Sequence, residues 1–208
     1  MSVTPLGGSP VAAGKPFVFT PDYRAQADKI IARYPAGRQQ SAVMPLLDLA
    51  QRQNQGWLSR EALAHVAAIL DMALIRVYEV ATFYTMYNLK PVGRHVVQVC
   101  TTTPCWLRGC DDVVTACSQA LGVELGGTTA DGQFTLREVE CLGACVNAPM
   151  AQIGDDYYED LDAKSMTAII EALKRGETPK PGPQNGRQTS APLGGATTLT
   201  DLPAKQGS

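Results

Sequence analysis

No stretch of this chain is apolar for long enough to cross a bilayer. Each candidate run is broken by charge or proline within about 12 residues, short of the roughly 20 that a spanning helix needs. Nor is there an excess of positive charge: 18 Lys and Arg stand against 20 Asp and Glu, a net charge of −2. Without a basic field, nucleic acid is not an expected partner. The N-terminus, MSVTPLGGSPVAAGKPF, lacks the apolar core of a secretory signal and the repeated arginines of a mitochondrial presequence. These absences lead to the expectation of a cytoplasmic protein with no direct membrane insertion. There is also no Gly-x-Gly-x-x-Gly turn, so the chain is not expected to bind a dinucleotide itself. Gly7-Gly8 and Gly194-Gly195 lie near the ends and read as linker. What remains is a chain of 208 residues, 45% hydrophobic and 18% charged, with the composition of a globular protein of one domain or two small ones.

Before residue 90 the apolar pattern is helical. Thr20 is suited to cap a helix that starts at Pro21, with Tyr23, Ala27, Ile30, Ile31 and Tyr34 at helical spacing and Pro35-Ala36-Gly37 as its stop. A second helix is expected over about residues 40–53 with Val43, Leu46, Leu47 and Leu49 apolar, although Pro45 falls inside it. Ser59 can cap a third, with Leu63, Val66, Ala67 and Ile69 inward. A fourth, over about residues 74–87, carries Ile75, Val77, Val80, Ala81, Phe83, Tyr84 and Tyr87. An extended segment 1–19 followed by a helical domain 20–90 is therefore predicted.

The character then changes. Residues 94–100 (RHVVQVC) are β-branched and strand-like, residues of about 106–121 are helical with Gly122 as a stop, and Phe134–Val139 alternates like a strand. Met150–Ile153 and Tyr157–Leu161 read as two more strands, and a helix holding Met166, Ile169, Ile170 and Leu173 closes before Gly176. The order βαβββα predicts a small α/β sandwich over residues 91–177, so the fold class is α+β. Beyond it, residues 178–208 are rich in Pro, Gly, Thr, Gln and Ser and are expected to form a flexible tail whose removal spares the domain.

Four of the six cysteines fall as two tight pairs, Cys100-x4-Cys105 and Cys141-x3-Cys145. In a reducing compartment, closely paired cysteines are metal ligands or redox thiols more often than disulfides. A redox dithiol would show Cys-x-x-Cys, and neither pair does. Both pairs sit where strands hand over to loops, so an α/β fold can present them side by side. Spacing alone leaves the metal open. Zinc accepts such pairs, and a [2Fe–2S] rhomb takes two thiolates on each iron. Gly109 and Gly143 can let backbone N–H groups approach the sulfurs. Cys110 and Cys117 lie on one predicted helix and read as buried small apolar residues, with Cys110 as a secondary candidate ligand.

The combination of Phe83-Tyr84-Thr85-Met86-Tyr87, Val96–Cys105 (VVQVCTTTPC) and Glu140–Cys145 (ECLGAC) is specific. Over about residues 20–176 the chain resembles the small [2Fe–2S]-carrying subunit of the NADH-dehydrogenase module of respiratory complex I, the NuoE-type subunit. The resemblance implies a thioredoxin-like C-terminal domain holding one [2Fe–2S] cluster on Cys100, Cys105, Cys141 and Cys145. It also implies one-electron transfer beside a partner flavoprotein subunit that carries FMN, NADH and a [4Fe–4S] cluster. Further subunits of the complex I peripheral arm would follow, on the cytoplasmic side of a bacterial inner membrane. The alternative within the same fold is the equivalent diaphorase subunit of an NAD-linked formate dehydrogenase or an NAD-reducing hydrogenase. A zinc-stabilised interaction module is the reading from another class.

Nothing else in the chain suggests a catalytic apparatus. His65 lies in an apolar helix and His95 opens a strand, so neither is expected to act as a general base. Asp155, Asp156, Glu159 and Asp160 read as a solvated hairpin, with a hard-metal site as a remote alternative. Trp106 and Met150 are candidate shielding for the thiols, and Phe83, Tyr84 and Tyr87 form either a docking surface or part of the helical core.

Overall fold

A computed structural model describes residues 16–195, 197, 198 and 200, and divides the chain between Pro91 and Val92 into two units. The expected extended segment therefore lies mostly outside the described residues, as do Gly7-Gly8 and the last part of the tail. Among the described residues no helix is long and apolar enough to cross a membrane.

The first unit is helical. Helix α1 (Pro21–Ile31) starts as its sequence suggests: the Thr20 hydroxyl accepts from the Tyr23 N–H at 3.5 Å, and Pro21 sits where no N–H is needed. Helix α2 (Val43–Gln53) follows a turn of 3-10 helix at Gln39–Ala42. Pro45 is its third residue, inside the first turn, so the missing donor costs no helical hydrogen bond. Ser59 caps α3 (Arg60–Ile69) by accepting from the Ala62 N–H at 3.1 Å. Leu46, Leu47, Leu58, Val66 and Val77 are fully buried at the centre.

Helix α4 (Leu74–Phe83) is shorter than its apolar pattern suggests, because Tyr84 turns into an extended conformation. Of its apolar residues, Val77 and Ala81 are buried. Ile75 is 59% exposed and Phe83 77% exposed. Tyr87 lies beyond the helix in the core, and its hydroxyl donates to the Met44 carbonyl at 2.9 Å.

The second unit holds a five-stranded mixed sheet. Its elements are β1 (His95–Cys100), α5 (Thr103–Leu107), α6 (Cys110–Leu121), β2 (Phe134–Val139), β3 (Ala151–Ile153), β4 (Asp156–Glu159), α7 (Ala163–Lys174) and β5 (Gly182–Pro183). The strand order is β2-β1-β3-β4-β5. β1 pairs with β2 in parallel, as a helical crossover allows, and with β3 antiparallel. Val97, Val99 and Leu136 of the sheet pack with Val113, Cys117, Met166 and Ile170 of α6 and α7 in one core. Gly93 permits a close approach at the start of β1, since a Cβ there would meet the Phe134 backbone at 2.5 Å.

Two features depart from the expectations. The helix predicted over 106–121 is broken at Gly109, whose φ of +92° only glycine adopts readily, giving α5 and α6. The supposed tail also returns to the sheet. β5 pairs in parallel with β4, Tyr158 opposite Gly182 and Glu159 opposite Pro183. The Gln184 N–H donates to the Glu159 carbonyl at 2.9 Å. Arg187 then forms an ion pair with Asp160, whose side chain is only 4% exposed. The acids of this hairpin are thus not all solvated, because an arginine distant in sequence covers one of them.

Candidate metal centre

Register explains how four cysteines meet. β1 and β2 are parallel with Cys100 opposite Val139, so both strands end at the same edge of the sheet. Cys100 closes β1 there, and Cys141 follows just past β2. β3 enters antiparallel from that edge, and the Cys100 N–H donates to the Met150 carbonyl at 3.2 Å. The 3-10 turn Cys145–Asn147 leads through Ala148, Pro149 and Met150 into β3 and so lies near the same edge. Cys105 arrives on the short helix α5, which Pro104 opens in its first turn.

The pairs differ in exposure. Cys100 and Cys105 are buried, whereas Cys141 and Cys145 are exposed. The Cys141 and Cys145 sulfurs lie 3.5 Å apart. Two thiolates on one tetrahedral ion with bonds of about 2.3 Å would sit roughly 3.8 Å apart, so this spacing suits a chelating pair. Among the described residues no three His, Cys, Asp or Glu side chains converge on a single ion.

Polar groups lie against two of the sulfurs. The Gly143 N–H reaches Cys141 Sγ at 3.4 Å, from a glycine whose φ of +85° turns the loop around the sulfur. The Thr102 hydroxyl lies 3.3 Å from Cys100 Sγ. Burial disfavours ionisation of Cys100, but the Thr102 hydroxyl and N–H, the Cys105 thiol and the Leu142 N–H outweigh it and hold its thiol below the usual range. Cys105 is pushed up to about 12, by burial first and then by the neighbouring Cys100 thiol. Cys145 is raised chiefly by its hydrogen bond to Cys141. Burial raises Cys110 as well, with Asp111 and Cys100 adding to the effect.

The other singled-out residues separate clearly. Met150 is 1% exposed and packs with Cys100, Cys105, Cys110 and Ala148, so it shields the thiols. Trp106 does not: it is 59% exposed, and Leu107 and Val146 beside the ligand pairs are exposed too. Cys117 belongs to the core between sheet and helices, where burial lifts its thiol to about 12. Cys110 is fully buried against the Cys100–Cys105 pair, nearer the site than a plain core residue. His65 Nε2 accepts the Phe19 N–H at 3.2 Å and its ring packs edge-on against Phe17 and Phe19, a structural role. His95 lies tilted against Phe134 with ring centroids 5.2 Å apart.

Sequence reasoning missed two supports of the ligand loop. The Tyr157 hydroxyl donates to the Leu142 carbonyl at 2.9 Å, holding the turn between Cys141 and Cys145. The Asn147 side-chain amide donates to Glu159 and to the Thr189 carbonyl. Neither contact has a local signature, although a buried Asn147 after an exposed Cys145-Val146 signals a partner that must be found.

Residues 27–174 match the family model of the thioredoxin-like [2Fe-2S] ferredoxin. The E subunit of the NADH-quinone oxidoreductase of Rickettsia conorii is 61% identical over 148 residues, covering 71% of this chain and 89% of that protein. The mitochondrial NADH dehydrogenase [ubiquinone] flavoprotein 2 of Dictyostelium discoideum is 50% identical over 188 residues, covering 90% of this chain and 76% of that protein. A crystal structure of an NAD+-reducing [NiFe]-hydrogenase in the H2-reduced state aligns with a TM-score of 0.56 at 24% identity, over 65% of this chain and 23% of the hydrogenase chain, a likeness of fold alone. The chain belongs to the thioredoxin-like [2Fe-2S] ferredoxin family and, within it, groups with the NuoE-type subunits of NADH-quinone oxidoreductases.

Proposed function

We propose that this chain is the electron-transfer subunit of an NADH:quinone oxidoreductase and holds one [2Fe–2S] cluster on Cys100, Cys105, Cys141 and Cys145. When bound, such a cluster supplies a site that accepts and returns one electron at a time. The observation that carries the assignment is the common sheet edge: parallel β1 and β2 end together, and both cysteine pairs emerge there.

The chain's own residues divide the work. Cys100 and Cys105 would hold the buried iron, with Met150 and Ala148 excluding water from that side. Cys141 and Cys145 would hold the exposed iron, facing solvent or a partner. The Gly143 N–H and the Thr102 hydroxyl point donors at sulfur, which favours the more negative, reduced state and raises the potential.

The electrons would be exchanged with FMN on a separate flavoprotein subunit that also binds NADH and carries a [4Fe–4S] cluster. The exposed apolar side chains beside the ligand pairs, Trp106, Leu107 and Val146, suit such a contact near the site. In the helical unit, Phe83 and Tyr84 pack ring to ring on the surface and suit a second contact. Assembly into the peripheral arm of complex I at the cytoplasmic face of a bacterial inner membrane completes the proposal.

The experiment is co-purification from native membranes of the source cell with a tag on this chain. Recovery with a flavin-containing subunit, and an electron paramagnetic resonance signal of a reduced [2Fe–2S] cluster on NADH addition, is the expected result. Recovery as a lone zinc protein would overturn the proposal.

A further inference from the structure

The segment after α7 is laid across the turn that carries Cys145. After β5 the chain reaches Arg187, whose guanidinium pairs with Asp160. Asp160 has a φ of +51°, a left-handed conformation that Asp tolerates but that needs holding, and its N–H donates to the Asn147 carbonyl at 2.7 Å. Asn147 is 3% exposed and stands two residues after Cys145. Its side-chain amide donates both to Glu159 and to the Thr189 carbonyl, the latter at 3.0 Å. Asn147 is thus held from one side by the end of β4 and from the other by the C-terminal segment.

These contacts are not arranged for greatest stability. Arg187 and Asp160 are 13% and 4% exposed at their side chains, and Arg187 Nε, Asp160 Oδ2 and Asn147 Oδ1 have no hydrogen-bond partner among the described residues. A buried ion pair with unsatisfied atoms contributes little net stability, because desolvation offsets the attraction. What it does supply is a unique position, and here that position belongs to the turn that sets one sulfur of the exposed pair.

We propose that residues 182–189 form a strap, with Arg187 as a positioning residue that acts through Asp160 and Asn147 to fix Cys145 against Cys141. The strap rests on the ligand assignment proposed above. It places the segment within the cluster domain, not beyond it. Loss of the Arg187 charge frees the Asn147 turn, lets the exposed pair open, and changes both the lability of the cluster and its electronic environment.

The test uses the full chain carrying its cluster, as Arg187→Ala, Arg187→Lys and the surface control Arg175→Ala, whose partner Glu177 is exposed. Each is followed by bleaching with an iron chelator, by electron paramagnetic resonance after reduction, and by hydrogen exchange of the Asn147 and Asp160 amides. The expected result for Arg187→Ala is bleaching faster by about 10- to 100-fold, the usual penalty for removing an outer-shell support. Its resonance is altered and both amides exchange faster. Arg187→Lys lies between it and the parent, and Arg175→Ala matches the parent.

Parent-like bleaching and resonance in folded Arg187→Ala overturn the strap. If Arg187→Ala does not fold, Arg187→Lys decides on the same readings: faster bleaching with an altered resonance supports the proposal, and parent values overturn it. A parent chain without a [2Fe–2S] signal refutes the ligand assignment instead, so the two failures are distinct.

Discussion

Cys100 stands opposite Val139 across a parallel strand pair, and this single register brings the two cysteine pairs to one edge of the sheet. Residues far apart in sequence become neighbours because β1 and β2 point the same way and end together. The first prediction follows from that placement. Cys141→Ser removes one sulfur of the exposed pair and abolishes or severely weakens the cluster, read as loss of visible absorbance and iron. Cys117→Ala removes a buried sulfur from the core between sheet and helices. It lowers stability by on the order of 1 kcal/mol, the scale for deleting one buried heavy atom, and leaves the spectrum unchanged. Bleaching by Cys117→Ala with retention in Cys141→Ser would reverse the ligand assignment.

The Thr102 hydroxyl lies 3.3 Å from the Cys100 sulfur. A donor at a thiolate stabilises the reduced, more negative cluster more than the oxidised one. Thr102→Val keeps the shape and the backbone N–H but loses the hydroxyl. The midpoint potential is expected to fall by tens of millivolts in a spectroelectrochemical titration, with the cluster intact. An unchanged or higher potential would show that this hydroxyl does not donate to the ligand.

Much of this arrangement is legible in the linear sequence, and the remainder is not for identifiable reasons. Thr20 and Ser59 announce helix starts because capping is a contact within three residues. The cysteine pairs announce a thiolate site because their spacing is local as well. The Gly109 break is invisible to periodicity, since Val113, Val114, Cys117 and Leu121 keep helical intervals beyond it. Ile75 and Phe83 follow the same apolar pattern as their buried neighbours, and only tertiary packing leaves them outside. Arg187 reads as one charge in a Pro/Gly-rich tail. Its partner Asp160 is 27 positions away, and the Asn147–Thr189 contact spans 42. Composition carries no trace of contacts at that separation.

Both histidines titrate below the ordinary value of 6.5, His65 through burial and then Arg24, His95 through burial and then Arg94. A His with a depressed folded pKa is neutral in the fold where the unfolded chain already binds a proton. The unfolded state therefore holds more protons below 6.5, and stability falls as pH drops through the window down to the folded values. Protonation of His65 also ends its acceptance of the Phe19 N–H. Thermal melts are expected to be flat near neutrality and to fall in the mildly acid range. His65→Gln should flatten part of that fall, and a slope equal to the parent's would assign it to other groups.

Metal and sulfide analysis of the anaerobically purified full chain, joined to electron paramagnetic resonance after reduction, tests the central claim most directly. The account predicts a reddish-brown protein with about two irons and two sulfides per chain and a signal from a reduced [2Fe–2S] cluster. A colourless protein containing one zinc and no acid-labile sulfide would contradict it.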